Sequence, residues 1–563
     1  MRQWIDQSGE RTQRVLFATT LDDAIPPEHL VRQFVWLLEQ LDFSALKRDY
    51  APGHGRPGIH PRVLVSVILW GLMTGIRASR KLEEALLQRI DFLWLAGGLS
   101  IDHSTLCGFR QSRRRELKSF FQQLVLLGQR LGLVSFEQLA MDGSRVRANN
   151  RRRGTRTPAE LLAQPAPAAD ASPVAETSAT QPPGAESGPT NSTTAPSVEA
   201  ATSAQSLQQL SELFDAFADA AAAEDAAPEP LRVQLLSVSH QQTPAELQAA
   251  VAEVQRLTAA GAPLPARLPI TDPDSRVLPN KEGGFAPNYT PLAVVDVASG
   301  LVVEADVCTD STEERQLLPG LAAVEATFGA AARPKAVLAD GSFPTGYNLE
   351  QLEAAGIECY APTDRIDPAC HPAARADLSQ PVSAAQLTQL PVRTKPNAAK
   401  LPADQREQFT GGAFVYDAAQ DVYYCPQGNE LHYRNTSPQQ HPGQPPTLRR
   451  KYQSQREDCA ACPLKPRCLQ AGSTSRSVSR DQYEAVRERH ARRMARPESQ
   501  TVYAQRRHAS ETPFAYIKQH LGCRQFLLRG LERVQQEWRW LVCAFNVRRL
   551  LSLCRVRAGP TPD

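Results

Sequence analysis

The 563-residue sequence lacks the features of several large protein classes. No stretch reaches the run of about eighteen apolar residues that crosses a bilayer, and the polar beginning MRQWIDQSGERTQ has no apolar signal core. The eleven cysteines are an odd number scattered along a long chain, unlike a disulfide framework. We therefore expect a soluble cytoplasmic protein with no membrane partner and with more than one structural unit.

Positive charge is missing from one long segment and concentrated in another. Residues 157–231 contain no Lys or Arg but eleven Asp or Glu, whereas residues 441–563 contain 24 Lys or Arg against 10 Asp or Glu. The total of +3 therefore conceals a basic C-terminal region. Such a region suggests a polyanionic partner, although a solvated basic face has the same composition.

Helical periodicity organises the beginning of the chain. Apolar residues recur at helical spacing in HLVRQFVWLLEQL, PRVLVSVILWGLMTGI and LKSFFQQLVLLGQRLGLV, which predicts a helical N-terminal domain over residues 1–135. We expect one helix there to carry four arginines, Arg110, Arg113, Arg114 and Arg115. This pattern fits a DNA-binding domain and equally a structural or dimerisation domain.

The remaining chain alternates between ordered segments and insertions. We expect a first strand and a basic loop, a low-complexity and largely disordered insertion with short helices near 205–222 and 243–260, a core of a hairpin, helix, strand, helix and strand, a second insertion, and a basic helical end. These segments cover residues 136–155, 156–270, 271–365, 366–480 and 481–563 in turn. The expected fold class is α/β, with a mixed sheet interrupted by insertions.

Two aspartates occupy equivalent positions in this pattern. Asp142 in LAMDGS and Asp340 in VLADGS each end an apolar strand and precede a glycine. Ligands gather at the carboxyl ends of strands, although Asp-Gly is also an ordinary turn dipeptide. A third acid, Glu511, lies on a helix whose 3- and 4-residue spacing predicts one face made of Tyr503, Arg507, Glu511, Phe514 and Lys518. Pro513 is expected to kink that helix or to begin a new one.

These residue types suit phosphoryl transfer. Carboxylates bind hard divalent cations such as Mg²⁺, and two such ions can activate the attacking oxygen and stabilise the leaving one. Arg507 and Lys518 would contact phosphates of the DNA, and Tyr503 would pack on the DNA strand or form a hydrogen bond with it. The alternative for Arg507 and Glu511 is a surface ion pair of little energetic value.

The order of these motifs resembles the DDE-type transposases of bacterial insertion sequences, whose catalytic domain has an RNase H-like fold. In that family an Asp on the first strand, an Asp on the fourth strand and a Glu on a later helix form the catalytic triad, which Asp142, Asp340 and Glu511 match. IPPEHLVRQF, GRPGIHP, GIRASRKLEEAL and IDHSTLCGFR are similar to the helical domain that precedes the core in one branch. The resemblance extends over most of residues 21–156 and 270–555.

That branch carries a Tyr-Arg-Glu-Lys signature around the glutamate. Arg507 has the family's spacing to Glu511, and Glu511 has the family's spacing to Lys518. Arg506, however, has the family's spacing to Tyr503, so both arginines remain candidates for the signature position. The resemblance implies DNA contacts by Tyr503, by one of these arginines and by Lys518.

The resemblance also implies the activity. It predicts a nucleoid-associated homodimer that binds the terminal inverted repeats of its own element, cuts at their ends and joins them to target DNA with two Mg²⁺ or Mn²⁺ ions. Asp310, in VCTDSTEE, is a secondary acidic candidate, but a helix N-cap region is the simpler interpretation.

A cysteine group adds a second metal candidate. Cys459, Cys462 and Cys468 have the spacing of a partial zinc site, whose alternatives are free thiols or a redox pair. The spacing leaves Cys425, Cys370 and His371 as possible fourth ligands. Similar cysteine-containing inserts in related transposases favour Cys425 and a structural Zn²⁺.

Two other functions remain open at this level. A hydrolytic nuclease on the same fold would use the same three carboxylates. A zinc-bearing DNA-binding protein without catalysis would not need those carboxylates to converge.

Overall fold

A computed structural model describes most of the chain. The described residues are 20–47, 58–150, 154–163, 244–280, 283–310, 313–395, 398–402, 405–440, 444–470 and 472–558. The helix predicted near residues 205–222 lies outside these ranges. Within them, no helix combines the length and the apolar character needed to span a bilayer.

The N-terminal region has seven helices within residues 20–47 and 58–130, which confirms the prediction of a helical unit before the sheet. His60 accepts a hydrogen bond from the Arg62 N–H before the Pro61 helix, and Asp102 accepts one from Thr105. The helices are α1 (Leu30–Glu39), α2 (Ser44–Lys47), α3 (Pro61–Met73), α4 (Ser79–Gln88), α5 (Ile90–Ala96), α6 (His103–Ser112) and α7 (Arg114–Arg130).

The single arginine-rich helix predicted here is wrong. The chain breaks at Arg113, between α6 and α7. Arg110 is buried and donates to the Arg77 carbonyl oxygen, while Arg114 pairs with Glu532 near the C-terminus. The guanidinium groups of Arg110 and Arg114 therefore hold elements together rather than form an exposed basic surface.

The central sheet is mixed, as predicted. Its strands are β1 (Gln138–Gly143), β2 (Val146–Arg147), β5 (Arg276–Pro279), β6 (Phe285–Asp296), β7 (Val302–Cys308), β8 (Ala336–Leu338) and β9 (Glu358–Tyr360). The main order is β7-β6-β1-β8-β9, and β2 and β5 also pair with β6. β6 is antiparallel to β1 and β7, whereas β8 is parallel to β1 and β9. Two further helices, α10 (Leu317–Phe328) and α11 (Gly346–Ala354), connect β7 to β8 and β8 to β9.

Both ends of the first insertion are ordered, and the residues between them, 164–243, lie outside the described ranges. The helix predicted near 243–260 is α9 (Pro244–Ala259), which contacts α8 (Pro158–Leu162). Beside them, β3 (Thr155–Arg156) pairs with β4 (Leu268–Pro269). Order is possible because these pieces bury a small apolar core of their own, consisting of Leu161, Ala250, Val254 and Leu268.

The second insertion contains a small β domain that the sequence did not predict. Its helices are α12 (Ala384–Gln389), α13 (Arg456–Ala460) and α14 (Lys465–Cys468). Its strands are β10 (Val392–Thr394), β11 (Glu407–Phe409), β12 (Val415–Asp417), β13 (Val422–Tyr424), β14 (Glu430–Gln439), β15 (Thr447–Ser454) and β16 (Ser477–Arg480). A separate core that includes Phe409, Tyr423 and Tyr452 stabilises this domain.

Three helices follow the β domain among the described residues up to 558, in the part expected to be basic and helical. They are α15 (Glu484–Met494), α16 (Pro497–Gln519) and α17 (Leu531–Ala558). Trp538 and Trp540 bury α17 in the main core, where it contacts β7, α3 and α7. The predicted start of a new helix at Pro513 is wrong, because α16 continues through this buried residue.

Candidate active site

Asp142 and Asp340 lie side by side at one edge of the sheet. β1 and β8 are parallel, with Leu139 opposite Val337 and Ala140 opposite Leu338. The same register continued by two residues places the two aspartates together at the carboxyl ends of their strands. Burial raises the pKa of Asp142, and the nearby Asp340 charge raises it further.

Helix α16 covers Asp142 from one side. Arg506 places Nη2 at 3.2 Å from Asp142 Oδ1, and Ser510, one turn later, donates to Oδ2 at 3.4 Å. The Gly143 N–H donates to Oδ1 at 2.9 Å. The Arg506 charge opposes the rise in the pKa of Asp142, although burial is the larger effect and the pKa stays above its ordinary value.

Glu511 lies on a different side of the same helix. Its carboxylate contacts Arg507 at 3.8 Å, and the two side chains are 55 % and 86 % exposed. Phe514 is buried and stacks on Trp538. The predicted single face with Arg507, Glu511 and Phe514 is therefore wrong, because α16 turns Phe514 into the core and leaves the ion pair along an open groove.

The two signature arginines have different environments. The Arg506 side chain is 12 % exposed and contacts Asp142, whereas Arg507 points into solvent. Arg506 is therefore the arginine that the fold brings to the aspartate pair. The sequence spacing of Arg506 to Tyr503 was the signal in its favour, while the spacing of Arg507 to Glu511 pointed to the other residue.

Lys518 joins α16 to the segment after β1. Its Nζ donates to Ser144 Oγ at 2.6 Å and to the Arg145 carbonyl oxygen at 2.7 Å. Tyr503 is partly exposed near the beginning of the helix. Lys518 therefore binds Ser144, a residue only two positions after Asp142 in the sequence.

Glu313, an acidic residue that the sequence did not single out, lies close to Gly143 at the end of β1. A Cβ atom added to Gly143 would overlap the carboxylate of Glu313. Only a glycine after Asp142 lets the Glu313 carboxylate come this close to the backbone. The glycine of this Asp-Gly dipeptide is therefore explained by packing as well as by the turn. Asp310 accepts a hydrogen bond from Gln316 Nε2 at 3.2 Å, next to the short 3-10 helix Glu314–Gln316.

The aspartate pair offers oxygen ligands of the kind that Mg²⁺ takes. Among the residues that the structure describes, no three His, Cys, Asp or Glu side chains are grouped as metal ligands. Asp142 and Asp340 are close together, whereas the Glu511 side chain is 55 % exposed and pairs with Arg507.

The four predicted zinc ligands belong to one neighbourhood. Cys425 follows β13, Cys459 is in α13, Cys468 ends α14, and Cys462 lies between the two helices. Burial raises the pKa of Cys468 to about 12, and the other three thiols contribute to the rise. Burial also raises the pKa of Cys425, with contributions from Cys462 and Cys459. Their sulfur atoms are close enough to interact, although they are not arranged as a formed metal site.

The two competing fourth ligands have different surroundings. Cys370 is exposed. His371 uses Nδ1 to accept a hydrogen bond from the Ala373 N–H at 3.1 Å. Of the three candidates, Cys425 is the one whose charge interaction with the other cysteines is evident.

Two parts of the chain match known protein families. Residues 19–112 match a family described as a transposase domain, DUF772, and residues 424–551 match a family described as a transposase DDE domain. The second match includes Cys425, Arg506, Glu511 and Lys518. No curated protein and no solved structure matches the chain.

Proposed function

We propose that this chain acts as a DDE-type transposase of an insertion sequence, the family that its two matches indicate. It would bind the terminal inverted repeats of that insertion sequence and catalyse DNA cleavage and strand transfer. The proposed catalytic residues are Asp142, Asp340 and Glu511. The observation that carries the proposal is the parallel pairing of β1 and β8, which brings the two aspartates to one edge.

The strand order supports the RNase H-like interpretation. Three antiparallel strands, β7, β6 and β1, are followed in the sheet by β8 and β9, which are parallel to β1. Helix α10 connects β7 to β8, and helix α11 connects β8 to β9. Ligand sites in open α/β sheets lie at the carboxyl ends of strands, which is where Asp142 and Asp340 stand.

Asp142, Asp340 and Glu511 would hold two Mg²⁺ or Mn²⁺ ions. Such ions supply activation of the attacking oxygen and stabilisation of the leaving oxygen. Arg506 holds the Asp142 carboxylate in place and balances its negative charge. Lys518 fixes the segment after β1. The exposed Arg507 and the partly exposed Tyr503 would contact the DNA backbone.

The cysteine group would hold a structural Zn²⁺ with Cys425, Cys459, Cys462 and Cys468 as ligands. Four thiols gathered from β13, α13 and α14 fit the ligand set of a closed zinc site. Thiols must lose their protons to bind zinc, and the raised pKa values of Cys425 and Cys468 make that loss depend on the cation. A bound ion would tie the two short helices to the sheet formed by β12, β13, β14, β15 and β16.

The test is Asp340→Asn in an assay with a labelled duplex carrying the element end. The variant should lose Mg²⁺-dependent cleavage while its binding of the duplex stays largely intact, because the substitution removes an ionised ligand but preserves shape. Asp377→Asn is a matched control, since Asp377 accepts the same pair of hydrogen bonds from Ser379 that Asp340 accepts from Ser342. Full cleavage by Asp340→Asn would refute the assignment.

The same assay separates transposition from hydrolysis. Joined product with target DNA supports strand transfer, whereas cleavage without joining favours a nuclease on this fold. Binding without either reaction favours an inactive zinc-bearing DNA-binding protein. A homodimer is part of the proposal because both element ends must be held together, and DNA as the partner would place the protein at the bacterial nucleoid.

A further inference from the structure

The β domain of the second insertion carries a projecting two-stranded arm. β14 and β15 pair along their whole length, from Leu431 opposite Ser454 to Gln439 opposite Thr447. The neighbouring strands flank only its inner half, because β13 pairs no farther than Leu431 and β16 pairs with residues 450–453 of β15, which leaves residues 437–439 and 447–449 as the outer part. We call residues 432–439 and 447–453 the ribbon, and in the described chain its outer part has no third strand.

One face of the ribbon is polar and basic. Asn435 lies opposite Lys451, and Ser437 lies opposite Arg449, so these four side chains share a face. All four are exposed, as is Arg434 at the bulge of β14. In the described parts of the chain, no hydrogen bond or ion pair engages the side chains of Arg434, Arg449 or Lys451.

Acidic residues are missing from the ribbon. Its sequences, HYRNTSPQ and TLRRKYQ, contain three arginines and one lysine but no Asp or Glu. The first acid along β14 is Glu430 at the base, which contacts His432 at 3.3 Å. The exposed cations therefore have no carboxylate on the ribbon to neutralise them, and they attract a polyanion.

The base of the ribbon is held firmly. Asp421 accepts hydrogen bonds from the hydroxyls of Tyr416 and Tyr452 at 2.7 and 2.6 Å, and Arg450 donates to its other oxygen at 2.6 Å. The Arg450 guanidinium also lies over the Tyr433 ring. Arg450 thus has a structural role, whereas Arg449 and Lys451 beside it have none, and a rigid base lowers the entropy that binding would cost.

We propose that this ribbon binds duplex DNA, with Arg449, Lys451 and Arg434 contacting backbone phosphates. The proposal deepens the transposase function above by naming a DNA contact far along the chain from the carboxylates. Two strands about 4.8 Å apart fit a major groove about 12 Å wide, and an outer part of three residues in each strand, about 10 Å long, exceeds the groove depth of about 8.5 Å. Asn435 and Ser437 add hydrogen-bond donors on the same face.

The test compares two matched double variants by the fluorescence anisotropy of a labelled DNA duplex of arbitrary sequence. Arg449→Gln with Lys451→Gln should weaken binding on the order of tenfold near 0.1 M salt and make the log–log salt dependence shallower by about two. The control, Arg333→Gln with Lys335→Gln, removes two exposed cations just before β8, at the end of that strand away from Asp340. It should leave both the DNA affinity and its salt dependence unchanged. Thermal unfolding should be unaffected in both.

The outcomes separate this proposal from the transposase function. If the ribbon variant binds DNA as the control does while the wild type cleaves normally, the ribbon proposal is overturned and the function stands. A dimer that falls apart in the ribbon variant with unchanged DNA affinity would identify the ribbon as a protein contact and overturn the proposal as well. Should the ribbon variant unfold, Ser437→Glu adds a negative charge to the same face and should produce the same loss of affinity.

Discussion

Replacing Arg506 by Gln should destabilise the protein in a way that depends on pH. Arg506 and Asp142 are 12 % and 14 % exposed and lie 3.2 Å apart, so the substitution leaves a largely buried carboxylate without its cation. Ser510 and the Gly143 N–H still donate to Asp142, but neither carries a charge. Removing one partner of a buried ion pair costs about 3–5 kcal/mol when the other cannot escape its charge.

Asp142 can escape part of that cost by taking up a proton. Protonation costs about 1.4 kcal/mol for each pH unit above the ordinary aspartate pKa of about 3.9. The loss of stability is therefore limited to about 4 kcal/mol at pH 7 and to about 1.5 kcal/mol at pH 5. The folded-state pKa of Asp142 is already raised by burial, and without Arg506 it rises further, so the deficit grows as the pH increases.

The measurement is the difference in unfolding free energy between the variant and the wild type at pH 5 and pH 7. Arg507→Gln is the matched control, because its ion pair with Glu511 is exposed and is worth about 0–1 kcal/mol. Adding Asp142→Asn to Arg506→Gln should restore most of the lost stability, since an amide needs no cation. Equal deficits for the two arginine variants, or a deficit that does not change with pH, would refute the reasoning.

Two further predictions concern other parts of the chain. Glu537→Gln should lower the unfolding free energy by about 3 kcal/mol in urea titrations, because the buried carboxylate pairs with Arg77 of the N-terminal region. Glu532→Gln is the control. It should lower the unfolding free energy by less than about 1 kcal/mol, because Glu532 forms an exposed pair with Arg114. Cys459→Ser should reduce the zinc content of the purified protein by about one equivalent, and Cys370→Ser, outside the cluster, should not; unchanged metal content in the first variant would contradict the zinc site.

Much of the secondary structure was predictable because its signals are local. The helical spacing in PRVLVSVILWGLMTGI became α3, and the two β-rich runs around Ser299 became the β6–β7 hairpin. The apolar runs ending at Asp142 and Asp340 became β1 and β8. Each of these patterns is set by residues within a few positions of one another.

Other features depended on contacts between distant segments. The Ala-rich helix α9 is ordered because Leu161, more than 80 residues earlier in the sequence, and Leu268, shortly after the helix, cover its apolar side. The strands of the second insertion are short and rich in polar residues, and their pairing is stabilised by the cluster around Tyr452. Composition alone could not reveal these cores, because apolar partners separated by long segments leave no periodic pattern.

The sequence by itself determined the order of the elements and the positions of the two aspartates at strand ends, because hydrophobic periodicity and turn residues act locally. The tertiary structure alone decided that Arg506 rather than Arg507 contacts Asp142 and that Glu511 points toward solvent. The reason is the rotation of α16 about its own axis, which depends on which residues bury best. Ala509, Ser510, Phe514 and Ile517 pack inward, so their neighbours on the helix are turned outward.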